Sequence, residues 1–291
     1  RWERNVQFAR AGGRSLRMDI VRPDVDDVAG EARPALVQVH GGGWVLGFKD
    51  RQGQLLMRQM ASRGWVCCNV DYRLSPMATF PDHLVDVKRA IAWIRDNADE
   101  LGVDPEFIAV TGGSAGGHLT ALVALTANQP RFQPGFEHAD TSVTAAVPFY
   151  GVYDFTDRNG VWLPGTESQM LAPLVMKCDR VDEPERWSDA SPIDQVNADA
   201  PPFFVMLWPP ERTLPENASW RERWSVTHFD TFTDEMLKST MKSAIIAVTK
   251  SANATFQAPP CAPPWPETFL TMIIVFPSGP SGMTLALTHF L

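Results

Sequence analysis

Gly112-Gly113-Ser114-Ala115-Gly116-Gly117 stands directly between an apolar run, Phe107 to Thr111, and a stretch of small and aliphatic residues from Ala115 to Ala127. A serine set between glycines at such a junction requires a strand to bend sharply into a helix. Side chains at 112 and 116 would obstruct so close an approach of two backbones. Upstream, His40-Gly41-Gly42-Gly43-Trp44 follows a second short apolar run, Ala35 to Val39. Three successive glycines let neighbouring N–H groups turn toward one point. Both glycine segments fall at the carboxyl ends of predicted strands, where doubly wound α/β sheets bind their ligands.

The rest of the pattern agrees. Val6 to Ala9 and Leu16 to Val21 read as an antiparallel pair around Gly12-Gly13, and Trp65 to Val70 reads as a strand buried on both faces. Leu84, Val87, Ile91 and Ile94 recur at helical spacing between Pro81 and Gly102. Val143 to Tyr150 and Pro201 to Val205 read as further strands. The alternation predicts an α/β fold with a mostly parallel sheet and helices on both faces, residues 1–291 forming one domain. Residues 152–200 keep no clean period and are expected to form a small cap insertion. Beyond Val205 the texture changes: only Gly279 and Gly282 of the 20 glycines lie there, while ten prolines crowd into residues 206–291. No internal repeat is evident.

A serine hydroxyl is a weak nucleophile at neutral pH, so its use requires presentation on a tight turn, a base, and donors for the developing oxyanion. Ser114 is the candidate nucleophile. The Ala115 amide, at the amino end of a helix, and the amides of Gly41 and Gly42 are the candidate donors. His40 precedes the glycines and reads as a brace for their loop rather than as the base. His118, one helical turn after Ser114, also reads as structural.

Composition excludes other classes. The chain carries a formal charge of −8 and no cluster of Lys and Arg, which argues against nucleic acid as a partner. It has no apolar run of 18 residues, so no transmembrane segment is expected. The four cysteines form neither a disulfide framework nor a metal-ligand spacing, so reduced thiols in the cytoplasm and no metal are the default. The chain starts at Arg1 without a start Met or a leader, which leaves upstream processing open. A homodimer is left open as well.

On His40 to Trp44, Asp71-Tyr72-Arg73-Leu74-Ser75-Pro76, Phe80-Pro81, Asp104-Pro105, Gly112 to Gly117 and Pro148-Phe149-Tyr150-Gly151, the chain resembles the hormone-sensitive-lipase-like branch of the α/β-hydrolase esterases. The similarity runs from about Val6 to Val205. It implies a serine carboxylesterase acting on short or medium acyl esters, with no cofactor and a small-molecule ester as its partner. Many members of that branch carry Asp before the serine, where this chain has Gly113.

The family's acid lies in a segment after the strand resembling Pro201 to Val205. Ungapped placement puts Glu211 on it. Its histidine follows roughly 30 residues later, where this chain has none, so His228 and His289 remain the base candidates, the latter on an expected final helix. Divergence of the tail, or a disturbed coding frame after Val205, would account for the break. A catalytically impaired scaffold that binds a ligand is the alternative function. A peptidase is a weaker third reading, because no gating domain accompanies the chain.

Overall fold

Gly12 and Gly13 both take positive φ, 54° and 74°, as a tight mirror-image hairpin turn requires. They join strand β1 (Trp2–Ala11) to β2 (Arg14–Val21). The computed structural model describes residues 1–23, 32–158, 160, 162 and 164–206, together with the strand backbones at 270–277 and 283–290. Strands β3 (Arg33–Val39), β4 (Val66–Val70), β5 (Val103–Gly113), β6 (Ala145–Phe149) and β7 (Phe203–Met206) follow, then β8 (Leu270–Pro277) and β9 (Met283–Phe290). They form one sheet in the order β1-β2-β4-β3-β5-β6-β7-β8-β9. Its central strands, β4-β3-β5-β6-β7, are parallel, and antiparallel pairs flank them on both sides.

The two-residue period of the strands sorts their side chains into two cores. Leu36, Cys67 and Ala109 face one side and pack with Met57 and Ala61 of helix α1 (Gln54–Ala61). Val37, Cys68 and Val110 face the other side and join the larger cluster with Ile91 and Leu119. That cluster is closed by α2 (Asp82–Asp96), whose Leu84, Val87, Ile91 and Ile94 are all buried, and by α4 (Ala115–Leu125), buried on every side. Between them, α3 (Ala98–Leu101) stops at Gly102, whose φ of 66° lets the chain turn back into β5.

Residues 152–200 hold a π-helical segment at Thr166–Met176, a short helix α5 (Pro184–Asp189) and a 3-10 turn at Pro192–Gln195. Phe155, Leu171, Val175, Met176 and Trp187 from this stretch are buried in the main cluster. One expectation is corrected. His289 lies on β9, opposite Thr271 of β8, and not on a final helix. The run Ile273-Ile274-Val275-Phe276 makes β8 a strong pairing edge, and such pairing overrides local helical tendency. No helix among the described residues is long and apolar enough to cross a membrane.

Candidate active site

The bend expected at the end of β5 is present. Ser114 sits between β5 and α4 with φ 57° and ψ −120°, a conformation that an L-residue holds only when its surroundings enforce it. Those surroundings are backbone. A Cβ on Gly112 would lie 2.5 Å from Val39 O, one on Gly117 would lie 2.6 Å from Phe149 O, and one on Gly116 would run into Val39 O. The Ser114 N–H donates to Phe149 O at 3.0 Å, and the His118 N–H donates to Ser114 O at 2.9 Å, opening the helix. The Ala115 amide, in the first turn of α4, has no carbonyl four residues back within the helix to receive it.

The glycine loop meets this bend. A Cβ on Gly41 would lie 2.5 Å from Gly113 O and 3.3 Å from the Ser114 Cβ, so only a glycine backbone fits against the elbow here. Gly42 adopts φ 124°, and its carbonyl accepts from Val45 and Leu46 to fold the loop back. The structure therefore brings together Ser114, Ala115, Gly41 and Gly42. It also reveals a commitment that the sequence hides: the Gly41 N–H donates to Gln52 Oε1 at 2.8 Å.

Behind the loop lie polar groups of which Lys49, Asp19 and Asn69 carried no expectation from sequence. Lys49 Nζ lies 3.0 Å from Asp19 Oδ1 and 4.0 Å from Asp71 Oδ2, and the Lys49 N–H donates to Asp71 Oδ1 at 2.8 Å. Asn69 donates to the carbonyls of Lys49 and Gln52. His40 is buried, stacked on Tyr72 at 4.3 Å between ring centroids, with Nδ1 2.9 Å from Gly41 O and Nε2 3.8 Å from Asp71. Desolvation lowers its pKa and raises that of Asp71. These contacts hold the loop on β2 and β4, in keeping with the brace expected of His40.

His118 is also fixed away from Ser114. Trp44 Nε1 donates to its Nδ1 at 3.1 Å, so Nε2 carries the proton and donates to Ala190 O at 2.7 Å. Burial pushes its pKa down to about 3. This neutral ring ties the loop residue Trp44 to α4 and to the end of the 152–200 stretch. His83 is similarly buried, its Nε2 3.1 Å from the Ser75 hydroxyl. Glu211 and His228 lie outside the described residues, as does the side chain of His289. No group of acidic, His or Cys side chains that could hold a metal occurs among the described residues.

Near Ser114 one residue had carried no expectation of its own. Tyr150, immediately after β6, has φ 38°, and its ring lies across Gly113. Its motif was visible in sequence as Pro148 to Gly151, but only the parallel register of β5 and β6, with Gly113 opposite Phe149, places it there.

A family model described as BD-FAE matches residues 18–219. The chain is 52% identical over 195 residues to "Probable carboxylic ester hydrolase LipM" of Mycobacterium tuberculosis, covering 67% of this chain and 44% of that protein. It is 48% identical over 200 residues to Esterase LipQ of the same organism, covering 67% of this chain and 46% of that one. It thus spans less than half the length of these curated relatives. Among solved structures, the native esterase Est2 of Thermogutta terrifontis superposes with a TM-score of 0.57 at 28% identity over 68% of each chain. The same esterase phosphonylated by sarin gives a TM-score of 0.65 at 25% identity, covering 84% of this chain and 79% of that one. With the strand order, the elbow and the matched span in agreement, this chain has the α/β-hydrolase fold and belongs to the BD-FAE family.

Proposed function

We propose that this protein is a serine carboxylesterase that hydrolyses short- and medium-chain acyl esters through an acyl-enzyme. The observation that carries the reading is the seating of the glycine loop against Ser114, with Gly41 so close to the elbow that no side chain fits between them. Ser114 Oγ bonds to the ester carbonyl carbon as its proton passes to a base, and negative charge moves onto the carbonyl oxygen. Collapse of that adduct expels the alcohol, which takes the proton back. Water then attacks the acyl-serine by the same route. A serine, a base and water suffice, so no cofactor is invoked.

Ala115 and Gly42 are the oxyanion donors that this reading favours. The Gly41 N–H is engaged by Gln52, whereas that of Gly42 has no partner among the described residues, and Gly43 follows it with φ 59°. Loss of one such donor costs on the order of 2.7–4 kcal/mol in the transition state. Residues 152–200 are assigned as a cap over the site, on the ground that Met170 Sδ lies 3.9 Å from where a Gly43 Cβ would stand.

Esterase 2 of T. terrifontis is phosphorylated by paraoxon. Stoichiometric labelling of Ser114 by the same reagent, with hydrolysis of p-nitrophenyl butyrate abolished in Ser114→Ala, is the expected result; full activity in that variant would overturn the proposal. Glu211 is the assigned acid. Separate His228→Ala and His289→Ala variants identify the base: one is expected to lose several orders of magnitude in kcat.

A further inference from the structure

The sheet order places β5 between β3 and β6, so the elbow has two flanks. The glycine loop at the end of β3 occupies one. Tyr150, at the end of β6, occupies the other. A Cβ built on Gly113 would lie 2.8 Å from the Tyr150 hydroxyl oxygen and 3.0 Å from two of its ring carbons. The aromatic ring therefore fills the volume that a side chain next to Ser114 would otherwise take. Its backbone is held at φ 38°, a left-handed conformation unusual for an aromatic residue, between Phe149, which accepts from the Ser114 N–H, and Gly151, packed against Gly117. Tyr150 is half-buried.

We infer that Tyr150 is a specificity-determining wall of the substrate site, limiting how bulky the ester can be next to its reacting carbon. The inference rests on the carboxylesterase reading above. If the carbonyl oxygen points to the glycine flank, groups branching from the carbon or from its leaving oxygen must find room elsewhere around Ser114. The opposite flank is closed by an aromatic ring anchored through strained backbone rather than by a flexible chain. Gly113 is the residue that makes this arrangement possible, because any larger residue there competes with the ring for the same space.

The experiment compares wild type, Tyr150→Gly and Tyr150→Phe, each with its thermal unfolding midpoint. Glycine accepts the positive φ, so removing the ring does not add backbone strain. Paired substrates vary one side at a time: p-nitrophenyl acetate against p-nitrophenyl pivalate, and methyl butyrate against tert-butyl butyrate. In Tyr150→Gly the bulky-to-small ratio of kcat/KM is expected to rise by about tenfold or more in at least one pair, the scale on which pocket walls discriminate single methyl groups. Tyr150→Phe, which keeps the ring, is expected to retain the wild-type ratio. Paraoxon labelling of Ser114 separates the two levels of the argument. Folded, labelled Tyr150→Gly with both ratios unchanged overturns the wall while leaving the esterase; a wild type that takes no label overturns both.

Discussion

Gly113 and Tyr150 illustrate how a single absent side chain can be structural information. The ring rests where a Cβ at 113 would stand, so Gly113→Ala forces it to swing aside. Overpacking of this kind costs about 1–3 kcal/mol when neighbours cannot relax. The expected outcome is a several-fold fall in kcat/KM for p-nitrophenyl butyrate in Gly113→Ala, recovered in the double variant with Tyr150→Gly. Failure of the second change to restore activity would mean that the two residues do not compete for space. In sequence, Gly113 was legible only as a departure from the Asp found in related esterases. The reason for it needed the register between β5 and β6.

At the scale of elements, the segment from His40 to Gln52 is held by polar contacts to two strands, β2 and β4, to Asp71 and Tyr72 just after β4, and to helix α4. Lys49 and Asp19 are a buried pair, and Asp71 also accepts from the Lys49 backbone. Removing the cation leaves the buried Asp19 carboxylate with the Asn5 N–H but no opposite charge. Lys49→Met is accordingly expected to lose about 3–5 kcal/mol in urea unfolding, the usual penalty for breaking a buried pair from one side. Its kcat is expected to fall more than its KM changes, because the loop positions donors rather than substrate. Local patterns made the strands and α2 readable, since their periodicity reports burial directly. By contrast, α1 follows Gly53 with φ 72°, lacks a side-chain cap and leaves Leu55 exposed, so its sequence advertises little. Lys49, Gln52 and Asp19 were illegible for another reason: their partners lie 11 to 30 residues away along the chain, and no spacing rule links them.

For the molecule as a whole, buried basic groups set a pH dependence of stability. His83 and His118 have folded pKa values pushed down to about 3 by burial. The unfolded chain therefore binds protons that the folded chain refuses as pH falls below 6.5, and stability declines through that window toward pH 3. The slope is about 1.4 kcal/mol per pH unit for each group. Lys88 acts at the other end. It is buried, donates to Thr126 O at the end of α4, and is pushed down to about 7 by desolvation. Stability is thus expected to rise from pH 7 toward 10 as the unfolded lysine releases its extra proton. In Lys88→Met, denaturant midpoints measured across that alkaline range should lose the slope; an unchanged slope would assign it to other groups.

The lock on His118 has a spectroscopic consequence. With Trp44 donating to one ring nitrogen and Ala190 receiving from the other, the imidazole is confined to one tautomer and stays uncharged across the neutral range. His83, held down to about 3 by its enclosure, is likewise silent there, and burial lowers the stacked His40 as well. In nitrogen-detected magnetic resonance, an imidazole signal that moves between pH 6 and 7.5 therefore belongs to neither His83 nor His118. The hunt for the proton acceptor of Ser114 can set those two resonances aside.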